Sequence, residues 1–460
     1  MKLYMLKRIK HWLYFLPITG IVFCCENFTE TGVPKTELIG TRVYTTDETA
    51  TAAVTGIYSR MVSGFGGFAN YRTTLWGGLS ADELDNFSTD MSQVEFYENA
   101  LSPTNNFVGN LWSEPYNYIY HANAVLEGLE NANGISPVIR RQLRGEALFI
   151  RAFCHFYLVN WFGGVPYITT TDYRENSLAS RLPEAEVYPL LIADLEQARE
   201  LLEATYVTGE RIRPNRHTAT ALLARVYLYS GDWLNAETMT TEVIDLHGIY
   251  ELEEDPDKVF LANSTEAIWQ LRPVAGNRNT VEGYSFILTA APANSALSHR
   301  VIDAFEPGDI RKTRWTGSII SGNSTYYYPY KYKVRTGSEL SEYYMVFRLA
   351  ELYLVRAEAR ARQGNISGAG KDLNIIRNRA GLANTTAATQ AEMLDAVFRE
   401  KRVEFFAEWG HRWFDLKRTG RAGTVLGTVK PGWQPTDVLY PVPHAEIQNN
   451  PNMEQNPGYE

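Results

Sequence analysis

The sequence predicts a mostly α fold, with tetratricopeptide-like helix pairs carrying an irregular, loop-rich region with short strands. The first observation is a repeat. Residues 221–246 begin A-L-L-A-R-V-Y-L-Y-S-G-D-W-L-N-A, and residues 352–376 begin L-Y-L-V-R-A-E-A-R-A-R-Q-G-N-I-S-G-A. With Gly231 set on Gly364, Ala224 matches Ala357 seven residues before the glycine, and Ala236 matches Ala369 five after it. Glycine permits the tight turn between two helices, and small alanines let those helices approach, as in helix–turn–helix repeats. The second observation is an apolar stripe in Arg140–Trp161: Leu143, Ala147, Ile150, Cys154, Tyr157 and Trp161, alternately four and three apart. That spacing marks a seam between packed helices. The third is the contrast of residues 248–345, rich in Gly, Pro, Asn, Ser and Tyr and poor in helical period, which predicts short strands and long loops.

Taken in order, residues 1–24 read as a targeting leader. Lys2, Lys7, Arg8 and Lys10 form a basic start, Trp12–Phe23 is a short apolar run, and Cys24-Cys25 follows. A cysteine directly after such a run is where a lipoprotein is cleaved and acylated. Cys25 is the preferred position, because cleavage before Cys24 would place Phe23 at the cut; both remain open, as does an ordinary secretory leader. The mature chain, 25–460, is expected to be one domain with loop-rich insertions near 63–106 and 248–345. A helix is expected over Asp47–Met61. Residues 63–76 alternate glycine with aromatics and are expected to break helical character; no Gly-Lys-Ser/Thr follows, so they are not a phosphate loop. Helices return over Phe107–Trp161, closed by Gly163-Gly164-Val165-Pro166, and over Val187–Leu202.

Arg399–Arg418 draws the most attention. Its first half reads as a helix ending at Gly410, on which Glu400, Glu404 and Glu408 stand four apart as one acidic ridge. Like charges at that spacing repel. Lys401 and Arg412 supply part of the compensation, and Arg377, Arg379 and Arg151 are further candidate partners. No His stands at metal-ligand spacing beside the ridge, so a buried structural network is favoured over a catalytic pair or a metal site.

The formal net charge is −9, with no basic run outside the N-terminus, which argues against nucleic acid. No hydrolase, zinc-protease, zinc-finger or calcium-loop motif is present, and no cofactor is implied. A two-carboxylate glycosidase would need opposed acids near aromatics; the best candidates, Asp82 and Glu83, are adjacent in the chain.

A set of motifs in order resembles the SusD/RagB family of outer-membrane nutrient-binding lipoproteins. They are R-G-E-A-L-F-I-R-A-F-C-H-F-Y-L-V-N-W-F-G-G-V-P at 144–166, S-R-L-P-E-A-E-V-Y at 180–188, and R-L-A-E-L-Y-L-V-R-A-E-A at 348–359. L-N-I-I-R-N-R-A-G-L at 373–382, E-W-G-H-R-W-F-D-L-K-R at 408–418 and Y-P-V-P-H-A-E-I-Q-N-N-P-N-M-E-Q-N-P-G-Y at 440–459 complete it. The resemblance spans essentially the whole chain. It implies four tetratricopeptide-like helix pairs and no catalysis. It also implies a lipid-anchored position on the outer face of the outer membrane, where the protein hands oligosaccharides to a SusC-like TonB-dependent transporter. Peptides as ligand, or a helical-repeat scaffold binding only protein, are the alternatives.

A glycan offers hydroxyls at its edge and C–H patches on its faces, so its binder needs flat rings and a few polar groups on loops over a rigid scaffold. Two stretches qualify. Phe65–Asn86 carries Phe68, Tyr71, Trp76, Asp82 and Asn86; Tyr284–Tyr332 carries Tyr284, Trp315, Tyr326, Tyr327, Tyr328 and Tyr330. Trp315 and Tyr327 are the leading candidates, then Trp76. Arg311, Arg314 and Lys331 are the neighbouring cations.

Overall fold

Eight helices form a continuous scaffold, each packing on the next. They are α1 (Asp47–Met61), α2 (Asn106–Glu130), α3 (Pro137–Phe162), α4 (Glu184–Leu201), α5 (Arg216–Ser230), α6 (Trp233–Ile244), α7 (Leu349–Arg362) and α8 (Ile366–Arg379). Taken two at a time, they make four helix pairs. The computed structural model describes residues 43–63, 67–130, 132–274, 276 and 278–459. The leader at 1–24 and Cys25 lie outside the described residues. Val43–Glu460 forms one compact unit.

The repeat works as its residues require. Gly231 and Gly364 both adopt left-handed backbone, φ 81° and 82°, which a glycine enters without a Cβ penalty. The next residue caps the following helix: Asp232 accepts from the Asn235 N–H, and Asn365 from the Gly368 N–H. Ala224, Ala236, Ala357 and Ala369 are all fully buried where the helices meet. The stripe on α3 understates that helix, since every residue from Gly145 to Phe162 is buried. Helix α3 is central, and its polar groups are matched: Glu146 by Arg213, Tyr58 and Gln142, and Arg151 by Asp194 and Asn123.

Two small sheets complete the fold. Strands β2 (Ala267–Leu271) and β6 (Tyr344–Arg348) pair antiparallel, and both are buried throughout. Four more, β1 (Leu84–Asn86), β3 (Ser295–Leu297), β4 (Thr316–Ser321) and β5 (Ser324–Pro329), form an antiparallel sheet in the order β1-β3-β5-β4. This sheet unites the two loop-rich stretches, β1 coming from the first and the other strands from the second.

Two expectations are corrected. Residues 63–76 do not stay irregular: Phe68–Arg72 forms a π turn and Thr73–Ser80 an α-helix. Burial of Phe68, Ala69, Leu75, Trp76 and Leu79 overrides the poor helix propensity of the glycines. Gly77 has its own role, because a Cβ there would meet the Gly410 Cα at 2.6 Å. Likewise the helix before Gly410 ends early. Helix α9 (Gln390–Glu404) stops at Glu404, and Ala407, Trp409 and Gly410 take left-handed backbone before α10 (His411–Arg418) starts. Tertiary contacts hold that turn: the Trp409 N–H donates to Thr74 Oγ1 at 3.0 Å, and the Trp409 indole to the Met345 carbonyl at 2.7 Å. Glu408 therefore lies outside the helix that carries Glu400 and Glu404.

Candidate functional site

The acidic ridge is occupied by the protein's own cations. Glu400 meets Arg311 at 2.7 Å and Arg377 at 3.2 Å. Glu404, fully buried, takes Arg311 at 2.7 Å, Arg348 at 2.5 Å and Arg379. Glu408 takes Lys331 at 2.5 Å and Arg348 at 2.9 Å, and Glu266 shares Arg348 and Arg379. Burial alone would raise the Glu404 carboxyl, but Arg379, Arg348 and Arg311 hold it well below the usual range. Arg377 and Arg379 are partners as expected. Arg151 and Arg412 are not: they pair with Asp194 and Asp82. Every ridge carboxylate is committed, so the cluster is structural. Among the described residues no group of three or more His, Cys, Asp or Glu is placed to hold a metal.

Asp82 and Glu83 are likewise internal. Asp82 is bound by Arg412 at 2.7 Å and Arg402 at 2.6 Å. Burial, and then the neighbouring Asp82 charge, pushes the Glu83 carboxyl up to about 8. Neither acid opposes the other across a groove, as hydrolysis by paired carboxylates would require.

Burial divides the aromatic candidates. Phe68 is fully enclosed among Tyr118, Phe153, Tyr157 and Trp409. Trp76 is buried between Phe96 and Phe107, with ring centroids 4.5 and 4.6 Å away. Trp315 is fully buried; its indole donates to the Pro256 carbonyl at 2.9 Å, and Lys331 lies 4.8 Å from its ring. These three rings and Asp82 are core, which corrects their expected place on a binding face. Arg311 and Lys331 are buried too, committed to the ridge. Arg314 is exposed and paired with Asp257 at 2.9 Å. Tyr71 is half-buried against Phe286, 5.2 Å between centroids. The Asn86 side chain is spent on Gln93 and Ser88. Tyr284 is half-exposed on the short helix Val281–Phe286.

The four-stranded sheet sorts the remaining tyrosines by parity, since successive strand residues face opposite sides. Tyr327 pairs across the ladder with Leu297 and Ser318 and packs on the core, with its ring 5.1 Å from His299. Tyr326 and Tyr328 pair with Ile319 and Gly317 and face the other way. On that second face, Phe87 meets Tyr326 edge-on at 5.5 Å, and Tyr328 meets Tyr330 at 5.8 Å. Phe87 is 39% exposed, and Tyr326, Ile319, Tyr328 and Tyr330 are partly so. Gly317 matters here because a Cβ would overlap the Tyr328 ring, so the ring lies directly over bare backbone. Asp85, half-exposed, shares this face through its pairing with Ala296. The result is a row of aromatic rings on a sheet outside the core, with a carboxylate at one end.

Sequence reading found the stretch but missed Phe87 and Ile319. Phe87 stands one residue past Asn86, and its N–H joins the sheet through the Asn294 carbonyl at 2.8 Å. The available signal was the parity of S-T-Y-Y-Y-P, which puts Tyr326 and Tyr328 together and Tyr327 opposite.

Known proteins place this geometry in context. The model of the SusD family matches residues 279–459, and one described as starch-binding associating with outer membrane matches 52–228. SusD-like protein P2 of Formosa agariphila is 28% identical, covering 89% of this chain and 92% of its own. The starch-binding protein SusD of Bacteroides thetaiotaomicron is 25% identical, covering 72% of this chain and 75% of its own. Among solved structures, a SusD superfamily protein from Bacteroides vulgatus superposes with TM-score 0.80 at 22% identity, over 90% of this chain and 99% of its own. A laminarin-binding SusD-like protein superposes with TM-score 0.78 at 25% identity, over 90% and 100%.

Proposed function

Because this chain belongs to the SusD family, we propose that it is a non-catalytic surface protein that captures oligosaccharides and passes them to a partner TonB-dependent transporter of the outer membrane. The observation that carries this reading is the aromatic row of Phe87, Tyr326, Tyr328 and Tyr330 on the four-stranded sheet. One exposed ring and three partly exposed ones in a row suit the C–H patches of sugar units, and Asp85 offers acceptors for hydroxyls. Strand β1 packs on the fully buried helix Thr73–Ser80, which seats the sheet on the core. A relative named for starch and a structural neighbour named for laminarin support the ligand class. Lipid anchoring at Cys25, on the outer face of the membrane, completes the reading. Among the described residues no helix is long and apolar enough to cross a membrane.

The test is calorimetric titration of oligosaccharides into the folded protein and its variants. Phe87→Ala, Tyr326→Ala and Tyr328→Ala should each weaken binding about tenfold, roughly 1.4 kcal/mol, with melting temperatures near wild type. Unchanged affinity in all three would remove the sheet face from the site. Hydrolysis of the oligosaccharide would overturn the non-catalytic reading.

A further inference from the structure

The four-stranded sheet ends differently at its two edges. At one edge β1 is three residues long, and the helices Thr73–Ser80 and Met91–Glu98 pack on it. At the other edge β4 is six residues long, and among the described residues no strand pairs with its outer side. A tight turn at Gly322-Asn323, with Gly322 at φ 60°, joins β4 to β5. In such a hairpin the residues flanking the turn, Ser321 and Ser324, exchange both backbone hydrogen bonds. The pairs Ile319–Tyr326 and Gly317–Tyr328 do the same in alternation. The Tyr330 N–H, donating to the Trp315 carbonyl at 2.7 Å, continues that alternation. Ser318 and Ile320 therefore aim their N–H and C=O groups out of the sheet. Among the described residues no other segment meets those groups.

Native sheets blunt an open edge with Lys, Pro, a bulge or a covering segment. Strand β4 reads T-G-S-I-I-S, with neither Lys nor Pro, and its ladder with β5 runs without a register shift. Ser318 is exposed. Ile320, at 78%, is the most exposed large apolar side chain among the described residues.

We propose that β4 is a docking edge for a second copy of this chain, the two β4 strands pairing antiparallel into one continuous sheet. The strand carries no charge, so a second β4 meets it without repulsion. Antiparallel pairing of identical edges places a two-fold axis normal to the sheet. That axis keeps the same face of both sheets on one side. The aromatic row of each copy then lies on one shared surface, where a long glycan can engage both. The pairing does not depend on the glycan reading above; only this use of it does. Six residues a side make a small interface of the transient class, suited to copies concentrated on one membrane by the proposed anchor.

The test is disulfide cross-linking of the full-length chain in the cells that make it. Outward groups must face outward groups, so two registers keep most of the strand paired, one centred on Ser318 and one on Ile319. Directly opposed Cα atoms lie about 4.5–5.5 Å apart, within disulfide reach. After oxidation, Ser318→Cys or Ile319→Cys should run at twice the chain mass on a non-reducing gel. Val138→Cys, 73% exposed on α3, should not. Adding Ile320→Pro removes an outward N–H, and adding Ile320→Lys puts a charge on the edge. Each should cut the cross-linked yield at least tenfold at an unchanged melting temperature. No cross-link at either position, a yield no greater than that of Val138→Cys, or a yield untouched by both Ile320 variants would overturn self-pairing. A cross-link to a different protein would overturn it too, by giving the edge to another partner. None of these outcomes bears on oligosaccharide binding by the single chain, which stands or falls on its own titration.

Discussion

Tyr326, Tyr327 and Tyr328 are neighbours in the chain and have different neighbours in space. Tyr327 turns toward the core and His299, while its two flanking tyrosines face outward beside Phe87 and Tyr330. Tyr327→Ala should accordingly lower stability more than affinity, and Tyr326→Ala the reverse; paired melting and titration curves separate the two. Trp315 makes the same point more sharply. It is fully buried, with its indole hydrogen-bonded. Trp315→Ala should cost about 3–5 kcal/mol of stability, read as a lowered denaturation midpoint. That these aromatics cluster in two irregular stretches was legible in the sequence. Which of them surface was not, because that depends on strand register and on what packs behind, and neither is local. Asp82 misled for the same reason, since its partners Arg402 and Arg412 lie more than three hundred residues away in the chain.

At the scale of elements, the helix pairs were readable because a left-handed turn and a close approach each restrict the residue. Gly364→Ala places a Cβ at φ 82°, and should cost about 1–2 kcal/mol, measurable by denaturant unfolding. The acidic ridge was readable as a charge problem, and two of its arginines were identified. Its end was not, because contacts from Thr74 and Met345 turn the chain at Trp409. Glu404→Ala should cost about 3–5 kcal/mol, because it strands Arg311, Arg348 and Arg379 in the interior. Glu404 is held low, so its contribution is present above the ordinary carboxyl range and is lost as the pH falls through its folded value. Glu83 behaves in the opposite sense. Its carboxyl is raised from 4.5 to about 8, so across that window the folded chain keeps a proton that the unfolded chain has released. Stability therefore falls as the pH rises through it. Glu83→Gln cannot ionise, and its melting temperature should gain on wild type between pH 5 and pH 8. A difference independent of pH would show that Glu83 does not titrate in that range.

In the whole molecule, a helical scaffold assembled from sequence-local pairs is joined by a four-stranded sheet assembled from distant segments. The scaffold follows from periodicity and small residues. The sheet could not be read that way, since β1 and β5 are separated by more than two hundred residues and meet only through β3. The proposed lipid anchor belongs to this scale as well. Replacing Cys24 and Cys25 together by alanine should release the protein from membranes in cells lacking the proposed transporter partner, and full retention would contradict lipid anchoring. The proposed role requires the outward face of the sheet to hold glycan without cutting it. The most direct measurement titrates a bound oligosaccharide into wild type and into Phe87→Ala/Tyr326→Ala/Tyr328→Ala, while chromatography follows the sugar. Wild type should bind saturably, the triple variant should lose at least a hundredfold in affinity at a near-normal melting temperature, and the sugar should stay intact throughout. Equal affinity in the two proteins, or shortened sugar products, would contradict that role.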